Sequence, residues 1–406
     1  VNVDEAVPRR LTAQLLRGPG VRSPEDAVRH LLAIQAQEFP YARWSLAQRT
    51  RRDSPRHVLL PPASTAADAA TDPVSDPVTA TAAEVEQAVS DGRILRTHIL
   101  RPTWHFVHRD DLRWLMELSA PRLQRFNAGT YRRTGIDAAR ADLSGQVLAN
   151  AVAGGVHLTR DQLAEQLQAA GFAASGLELA YVIMHAEISR VLTSGSPVRS
   201  PGGALKQTYA RFDERVPAGP AEPMTREQAL GELARRYFTS RGPATVKDCA
   251  DWSGLTMTEV RRGVALLESA PAALETAVND GVVHYFSAGT GGGGGSSPDT
   301  APRIDLIQCY DEYVMGYSAT RHYFGGSAPT FPLAGAPMHV VLLDGRMAGS
   351  WRHTLFPGRC ELEIRLFDAP NAGPVRGEAV KRAVQCAVER YGTFLGIPAV
   401  WVNPGT

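Results

Sequence analysis

Lysine is almost missing from this 406-residue chain: only Lys206, Lys247 and Lys381 occur among its 43 basic residues. Heavy arginine and alanine usage of this kind follows from a GC-rich genome, yet arginine is also the side chain that forks onto phosphate. Cysteine is sparse too. Cys249, Cys309, Cys360 and Cys386 form no C-x-x-C pair, which removes a zinc ribbon or a dithiol redox motif and suits a reducing cytoplasm. There is no run of about 18 apolar residues to span a membrane, and residues 1–20 carry no apolar core of the signal type. Also missing are the G-x-S-x-G elbow, His-Glu-x-x-His, a dinucleotide fingerprint and an EF-hand loop. The glycine run 291–295 is not closed by Gly-Lys-Ser/Thr, so it reads as a linker rather than a phosphate loop.

What is present is ordinary in bulk. The chain is 44% hydrophobic and 21% charged, as expected of two to four globular units. Its net charge of +1 argues at first against a nucleic-acid binder, but the charge is unevenly spread. Residues 1–140 hold 20 arginines against 16 acids, a surplus of four, while the remainder is acidic by three. One basic cluster comprises Arg43, Arg49, Arg51, Arg52 and Arg56, and another runs from Arg93 to Arg133 with nine arginines. Local basicity is what a polyanion feels within a Debye length.

The pattern along the chain predicts an α+β protein. Residues 9–17 and 23–37 read as helices, the second started by a Ser23 cap, Pro24 and the acids Glu25 and Asp26. Pro40 is expected to stop it. Residues 53–80, rich in Pro, Ala, Ser and Asp, read as a mobile insertion. Thr81 with Glu84 makes a capping box before a helix over 81–90. Two short strands follow within 94–108, then a helix over 110–126. A capped helix from Thr159 through Leu167, ended by Gly171, and a helix over 176–191 precede a hairpin over 194–209, and helices over 225–238 and 258–267 precede strands near 277 and 282–286. From Arg303 the pattern turns to strands, with Asp344-Gly345 as a hairpin turn and a helix over 377–395 before a last strand.

Three stretches repeat. Thr159-x-x-x-Leu163-Ala164 and Thr245-x-x-x-Cys249-Ala250 align, and Thr81-x-x-x-Val85 fits more loosely. Each opens a helical stretch followed by a hairpin-like one, the order of a winged helix-turn-helix. The chain therefore divides into module 1 (1–110), module 2 (111–218), module 3 (219–290), a Gly-rich linker (291–300) and a C-terminal β-rich domain (301–406). Winged helices bind DNA or proteins, so this fold alone leaves function open.

The most informative spot is Gln35-Ala36-Gln37-Glu38, where a well-signalled helix must end. Positions i and i+2 do not face each other on an α-helix. If both amides serve one ligand, the backbone must unwind there. Otherwise they cap local carbonyls or face solvent.

Here the sequence resembles the AlkZ-type DNA glycosylases. Gln35-Ala36-Gln37 after His30-Leu31-Leu32-Ala33-Ile34 is similar to that family's Gln-x-Gln motif. Arg96-Thr97 with Arg101-Pro102-Thr103-Trp104-His105 resembles its Arg-Thr…Arg-Gly-Thr-x-His segment, with Pro102 in place of Gly. Tyr310-Asp311-Glu312-Tyr313-Val314-Met315-Gly316-Tyr317, then Arg321, resembles its Phe-Asp-x-Tyr-Leu-Leu-Gly-Tyr stretch. Asp344 to Arg352 resembles its C-terminal β-domain.

The resemblance implies a C-shaped arrangement of three tandem winged helices and a β-domain. It implies a monofunctional enzyme that needs no metal or cofactor and excises bulky alkylated purines from double-stranded DNA. Self-resistance to a genotoxic natural product, in a bacterial cytoplasm near the nucleoid, fits that class, and a monomer is expected. N7 alkylation makes guanine a good leaving group, so a catalyst need only stabilise the oxocarbenium-like sugar and orient water. Carboxamide oxygens accept hydrogen bonds and can do both.

Gln35 and Gln37 are then the catalytic residues, with Glu38 the rival general base. Arg43, Arg49, Arg96 and Arg101 are the phosphate contacts expected. Thr103, His105 and Arg101 line the DNA groove, or else pair and pack as strand residues. Tyr313, Tyr317 and Arg321 touch backbone or minor groove, with a core role equally open for the tyrosines. A non-catalytic winged-helix regulator is the main alternative, and a protein-interaction scaffold a third.

Overall fold

The computed structural model describes residues 3–51, 79–201, 203–219, 222–267, 274–279, 281–288, 301–325, 339–367 and 377–402. The expected insertion, apart from its last residues, and the glycine-rich linker lie outside them. The fold is α+β: groups of capped helices, each followed by antiparallel strands, lead into one larger sheet. Among the described residues no helix is long and apolar enough to cross a membrane.

The first group holds α1 (Val3–Ala13), α2 (Pro24–Leu31), β1 (Ala33–Gln35), α3 (Phe39–Ala47), α4 (Ala82–Ser90), β2 (Ile94–His98) and β3 (Trp104–His108). Ser23 caps α2 by accepting from the Asp26 N–H, and Pro24 sits where its missing N–H costs nothing. The three strands form an antiparallel sheet in the order β1-β3-β2.

One expectation is corrected here. The helix predicted over 23–37 stops at Leu31; Leu32 takes φ 66°, and the chain continues as β1. Tertiary partners replace the helical bonds. The Arg241 guanidinium donates to the Leu31 and Ala33 carbonyls at 2.9 and 3.0 Å, and the Glu312 carboxylate accepts the Gln35 N–H at 2.8 Å. Ala36 N donates to Trp104 O at 2.7 Å, so the extended pairing runs past Gln35. Pro40 does not end a helix; it stands in the first turn of α3.

The second group contains α5 (Arg109–Arg133), α6 (Ala138–Ala151), β4 (Leu158–Thr159), α7 (Arg160–Ala169), α8 (Gly176–Ile188), β5 (Leu192–Ser194), β6 (Val198–Arg199), β7 (Leu205–Lys206), β8 (Thr208–Arg211) and α9 (Phe212–Arg215). Strands β4, β8 and β5 form one small sheet, and β6 and β7 pair at the hairpin tip. Helix α5 outruns its predicted end at 126 by seven residues. The third group is α10 (Arg226–Arg241), α11 (Val246–Ser253), α12 (Met257–Leu267) and the hairpin β9 (Leu274–Asn279)–β10 (Val282–Ser287). All three repeat threonines are N-caps with complete capping boxes: Thr81 with Glu84, Thr159 with Gln162, Thr245 with Asp248.

The C-terminal part is β11 (Ile304–Ile307), α13 (Glu312–Met315), β12 (His339–Leu343), β13 (Arg346–Phe356), β14 (Arg359–Leu366), α14 (Glu378–Leu395) and β15 (Ala399–Val402), a five-stranded sheet in the order β11-β12-β13-β14-β15. Asp344 and Gly345 both take positive φ, 50° and 81°, as a two-residue hairpin turn requires. Helix α14 crosses over so that β15 runs parallel to β14.

One apolar core joins α1, α5, α10, α11, α12 and α13 to β12; another joins α2, α3 and α4 to β11, β13, β14 and α14. The C-terminal sheet is thus cored against the first helical group. Two fully buried ion pairs tie the C-terminal part to the helical groups: Arg49–Asp311 at 2.7 Å to the first and Arg241–Glu312 at 2.7 Å to the third.

Candidate active site

The site grows out of the short strand β1. Gln35 ends β1, and Gln37 lies two residues on, in a bend before α3, so the α-helical spacing that would turn the two amides apart does not apply to them. Gln35 pairs across β1/β3 with His105, and His105 pairs across β3/β2 with Thr97, so the three side chains form one row on one face.

Gln35 is 3% exposed and held by every group it has near the sheet. Its N–H goes to Glu312, its carbonyl accepts from Gln308 Nε2 at 3.0 Å, and its Oε1 accepts from Arg101 Nη2 at 2.9 Å. Arg101 thereby fixes which end of the amide faces it, and leaves one Oε1 lone pair and the amide nitrogen for other use. Gln37 is exposed, with Oε1 at 3.4 Å from the Trp104 N–H. Glu312 is fully buried and also accepts from Arg241 (2.7 Å) and Trp252 Nε1 (2.6 Å), so three donors fix the carboxylate that fixes Gln35. Sequence reasoning placed Glu312 only within a similar motif. Its function as the anchor of β1 had no local signal, because its partners are 60 to 277 residues away.

His105 is fully buried, and burial drives its pKa well below the usual imidazole range, so the ring is neutral. Nδ1–H donates to Thr103 O at 2.9 Å, which leaves Nε2 as a lone-pair acceptor. That Nε2, Thr97 Oγ1, Thr103 Oγ1 and Arg101 Nε are buried and without partners among the described residues.

Glu38 precedes α3, is half-buried, and burial raises its pKa above the ordinary carboxylate value. His339 Nε2 of β12 approaches it to 3.5 Å. The ligand atoms of Glu38, Cys309 and His339 lie within 4.8 Å of one another, as a metal would need. The tautomer argues otherwise. His339 Nδ1 accepts the Cys309 N–H at 3.2 Å, so the neutral ring keeps its proton on Nε2, facing Glu38. Tyr41 stacks on His339 and His353 with ring centroids 3.8 and 4.4 Å apart. These three rings and Glu38 join β12 and β13 to the start of α3.

Several expected DNA contacts are corrected by burial. Arg49 is fully enclosed, paired with Asp311 and bonded to Gln14 and Ser45. Tyr313 and Tyr317 are core residues whose hydroxyls donate to the Gly345 and Arg241 carbonyls. Arg43 is 7% exposed and pairs with Glu86. Arg96 is 6% exposed; it donates to the Ala36 and Gln37 carbonyls and to Gln207, and its guanidinium lies 4.4 Å over the Trp104 ring. Arg96 thus scaffolds the backbone that carries Gln37. His105 is inside the sheet, not on the groove surface. Arg101, Thr103 and Arg321 remain partly exposed, and of the four arginines expected on phosphate Arg43, Arg49 and Arg96 are buried while Arg101 is not.

The chain thus carries capped helices followed by antiparallel strands, and an edge strand that ends in the Gln35 amide beside Arg101. It belongs to the DNA glycosylase AlkZ-like family, whose model matches residues 78–394. Gln35 to Glu38 lie ahead of the matched stretch. The fold is similar to that of Streptomyces sahachiroi DNA glycosylase AlkZ, with a TM-score of 0.67 at 20% sequence identity over 99% of this chain and 100% of the other. No curated protein matches the sequence.

Proposed function

We propose that this protein is a monofunctional DNA glycosylase that hydrolyses the N-glycosidic bond of bulky alkylated purines, of the N7-alkylguanine type, in duplex DNA. Self-resistance to a DNA-alkylating metabolite is the role that suits such a substrate. The observation that supports the reading is that the helix ends at Leu31, so that Gln35, Gln37 and Glu38 stand on a non-helical segment with Gln37 exposed and Glu38 next in the chain. Three tandem winged helices with boundaries near 110 and 218, and a β-domain after residue 300 that together with them makes a C-shaped concavity, are part of this reading.

In this mechanism the alkylated base departs without prior protonation. Gln37, exposed and adjacent to Glu38, orients the water. Gln35, oriented by Arg101, presents its remaining lone pair to the oxocarbenium-like sugar. Glu38 accepts the proton of the water, a step favoured by the desolvation that raises its pKa.

Single-turnover release of N7-methylguanine and of a bulkier N7 adduct tests this. Gln35→Ala and Gln37→Ala should each slow release by about a hundredfold, the scale of a lost transition-state hydrogen bond. Full rates in both variants would remove the assignment. An absence of any base release, with tight binding to one undamaged sequence, would favour a regulator instead.

A further inference from the structure

Helix α5 changes character along its length. In its first half Leu112, Leu115, Met116, Leu118 and Ser119 are buried, while Arg109, Asp110 and Glu117 are exposed. Its second half buries only Leu123, Asn127 and Tyr131, which repeat every four residues and lie on one face. The opposite face holds Arg122, Arg125, Phe126, Arg132 and Arg133, all exposed, with Phe126 at 69%. From Pro121 to Arg133 there is no Asp or Glu. Arg122, Arg125 and Arg132 make no ion pair among the described residues, while Arg133 reaches only Thr130 at 2.9 Å. Elsewhere the exposed arginines are mostly spent on acids, as in Arg190–Glu117, Arg226–Glu259 and Arg262–Glu227.

A second observation ties this face to the site. Gly254, at φ +73°, packs so tightly that a Cβ there would lie 2.6 Å from the Leu100 carbonyl and 3.8 Å from Arg122 Nε. Leu100 directly precedes Arg101, the residue that orients Gln35. The stripe therefore begins beside the β2–β3 loop that positions Gln35 and runs away from it. From Arg122 to Arg133 it extends about 16 Å at the rise of an α-helix. With about 3.4 Å between charges along one strand, that length faces roughly five phosphates.

We infer that the exposed face of α5, Arg122 to Arg133, is a docking track for the sugar-phosphate backbone of duplex DNA flanking the catalytic site. Arginine forks hold phosphate oxygens, and Phe126 offers an apolar face between them to the deoxyribose. The inference rests on the glycosylase reading for the position of the lesion, but its test does not need base release.

The experiment measures binding of the full-length protein to an undamaged 25-base-pair duplex across a salt series. R122Q/R125Q/R132Q should lower the salt slope by about two to three, close to 0.9 for each phosphate contact removed. R122K/R125K/R132K keeps the charges and should keep the slope, and loss of binding in both variants alike would show a structural effect and overturn the assignment. A slope unchanged in the glutamine variant would also overturn it. A lowered slope with no base release in any form of the protein would leave the track standing and remove the glycosylase reading instead.

Discussion

Glu312→Gln should uncouple the candidate site from the fold. The Glu312 carboxylate is fully buried between Arg241 (2.7 Å), Trp252 Nε1 (2.6 Å) and the Gln35 N–H (2.8 Å), three donors on one acceptor. A glutamine keeps the shape but turns an amide NH2 toward at least one donor, and leaves the Arg241 charge uncompensated inside the protein. Breaking a buried pair in this way costs about 3–5 kcal/mol, and at about 1.4 kcal/mol per tenfold that is at least a hundredfold in the folded population. Urea unfolding followed by far-UV circular dichroism reads it. The double variant Glu312→Met/Arg241→Met should recover part of the loss, because no unpaired charge remains. It should not recover all, since the Leu31 and Ala33 carbonyls and the Gln35 N–H lose their partners at about 1–3 kcal/mol for each one left buried. Base release should stay low in the double variant even as stability returns, because β1 has lost what holds it extended. A single variant within about 1 kcal/mol of the parent, far below the cost of an unpaired buried charge, would refute the reasoning. So would full base release by the double variant.

Two further outcomes follow from the geometry. Arg96→Ala removes the donor to the Ala36 and Gln37 carbonyls and the ring contact with Trp104; single-turnover base release should fall while the salt slope of DNA binding stays unchanged, and a changed slope would return Arg96 to the phosphate contacts. Burial lowers the pKa of His339 and of His353 from 6.5 to about 4. The unfolded chain binds more protons between those values, so stability should be complete above about pH 6.5 and decline as pH falls toward 4, with no further loss from these groups below. The urea midpoint measured at several pH values reads this, and His339→Gln/His353→Gln should flatten the decline.

Much of the chain was legible because its signals are local. Thr81, Thr159 and Thr245 each bind a backbone N–H three residues on, so the cap is visible in four residues of sequence. Asp344-Gly345 likewise states its own turn, since both positions need positive φ. The site was half legible. The Gln-x-Gln pair and Glu38 stand out in sequence, and the demand that the backbone unwind there follows from side-chain geometry alone. Where it unwinds did not follow: the periodicity of Ala27, Leu31 and Ile34 continues a helix that the structure ends at Leu31.

The arginines divide in the same way. Sequence located the arginine-rich stretches but could not distinguish a guanidinium open to solvent from one buried on a carboxylate. Arg49 and Arg241 find Asp311 and Glu312 at separations of 262 and 71 residues, and Tyr313 and Tyr317 bond carbonyls 32 and 76 residues away. The sequence by itself determined the caps, the turns and the α+β class, and singled out the residues on which the proposed chemistry rests, all of which depend on neighbours in the chain. The tertiary structure decided which of those residues reach solvent and which strand carries Gln35. A guanidinium or a carboxylate is worth most where water is excluded, and only the folded chain decides where that is.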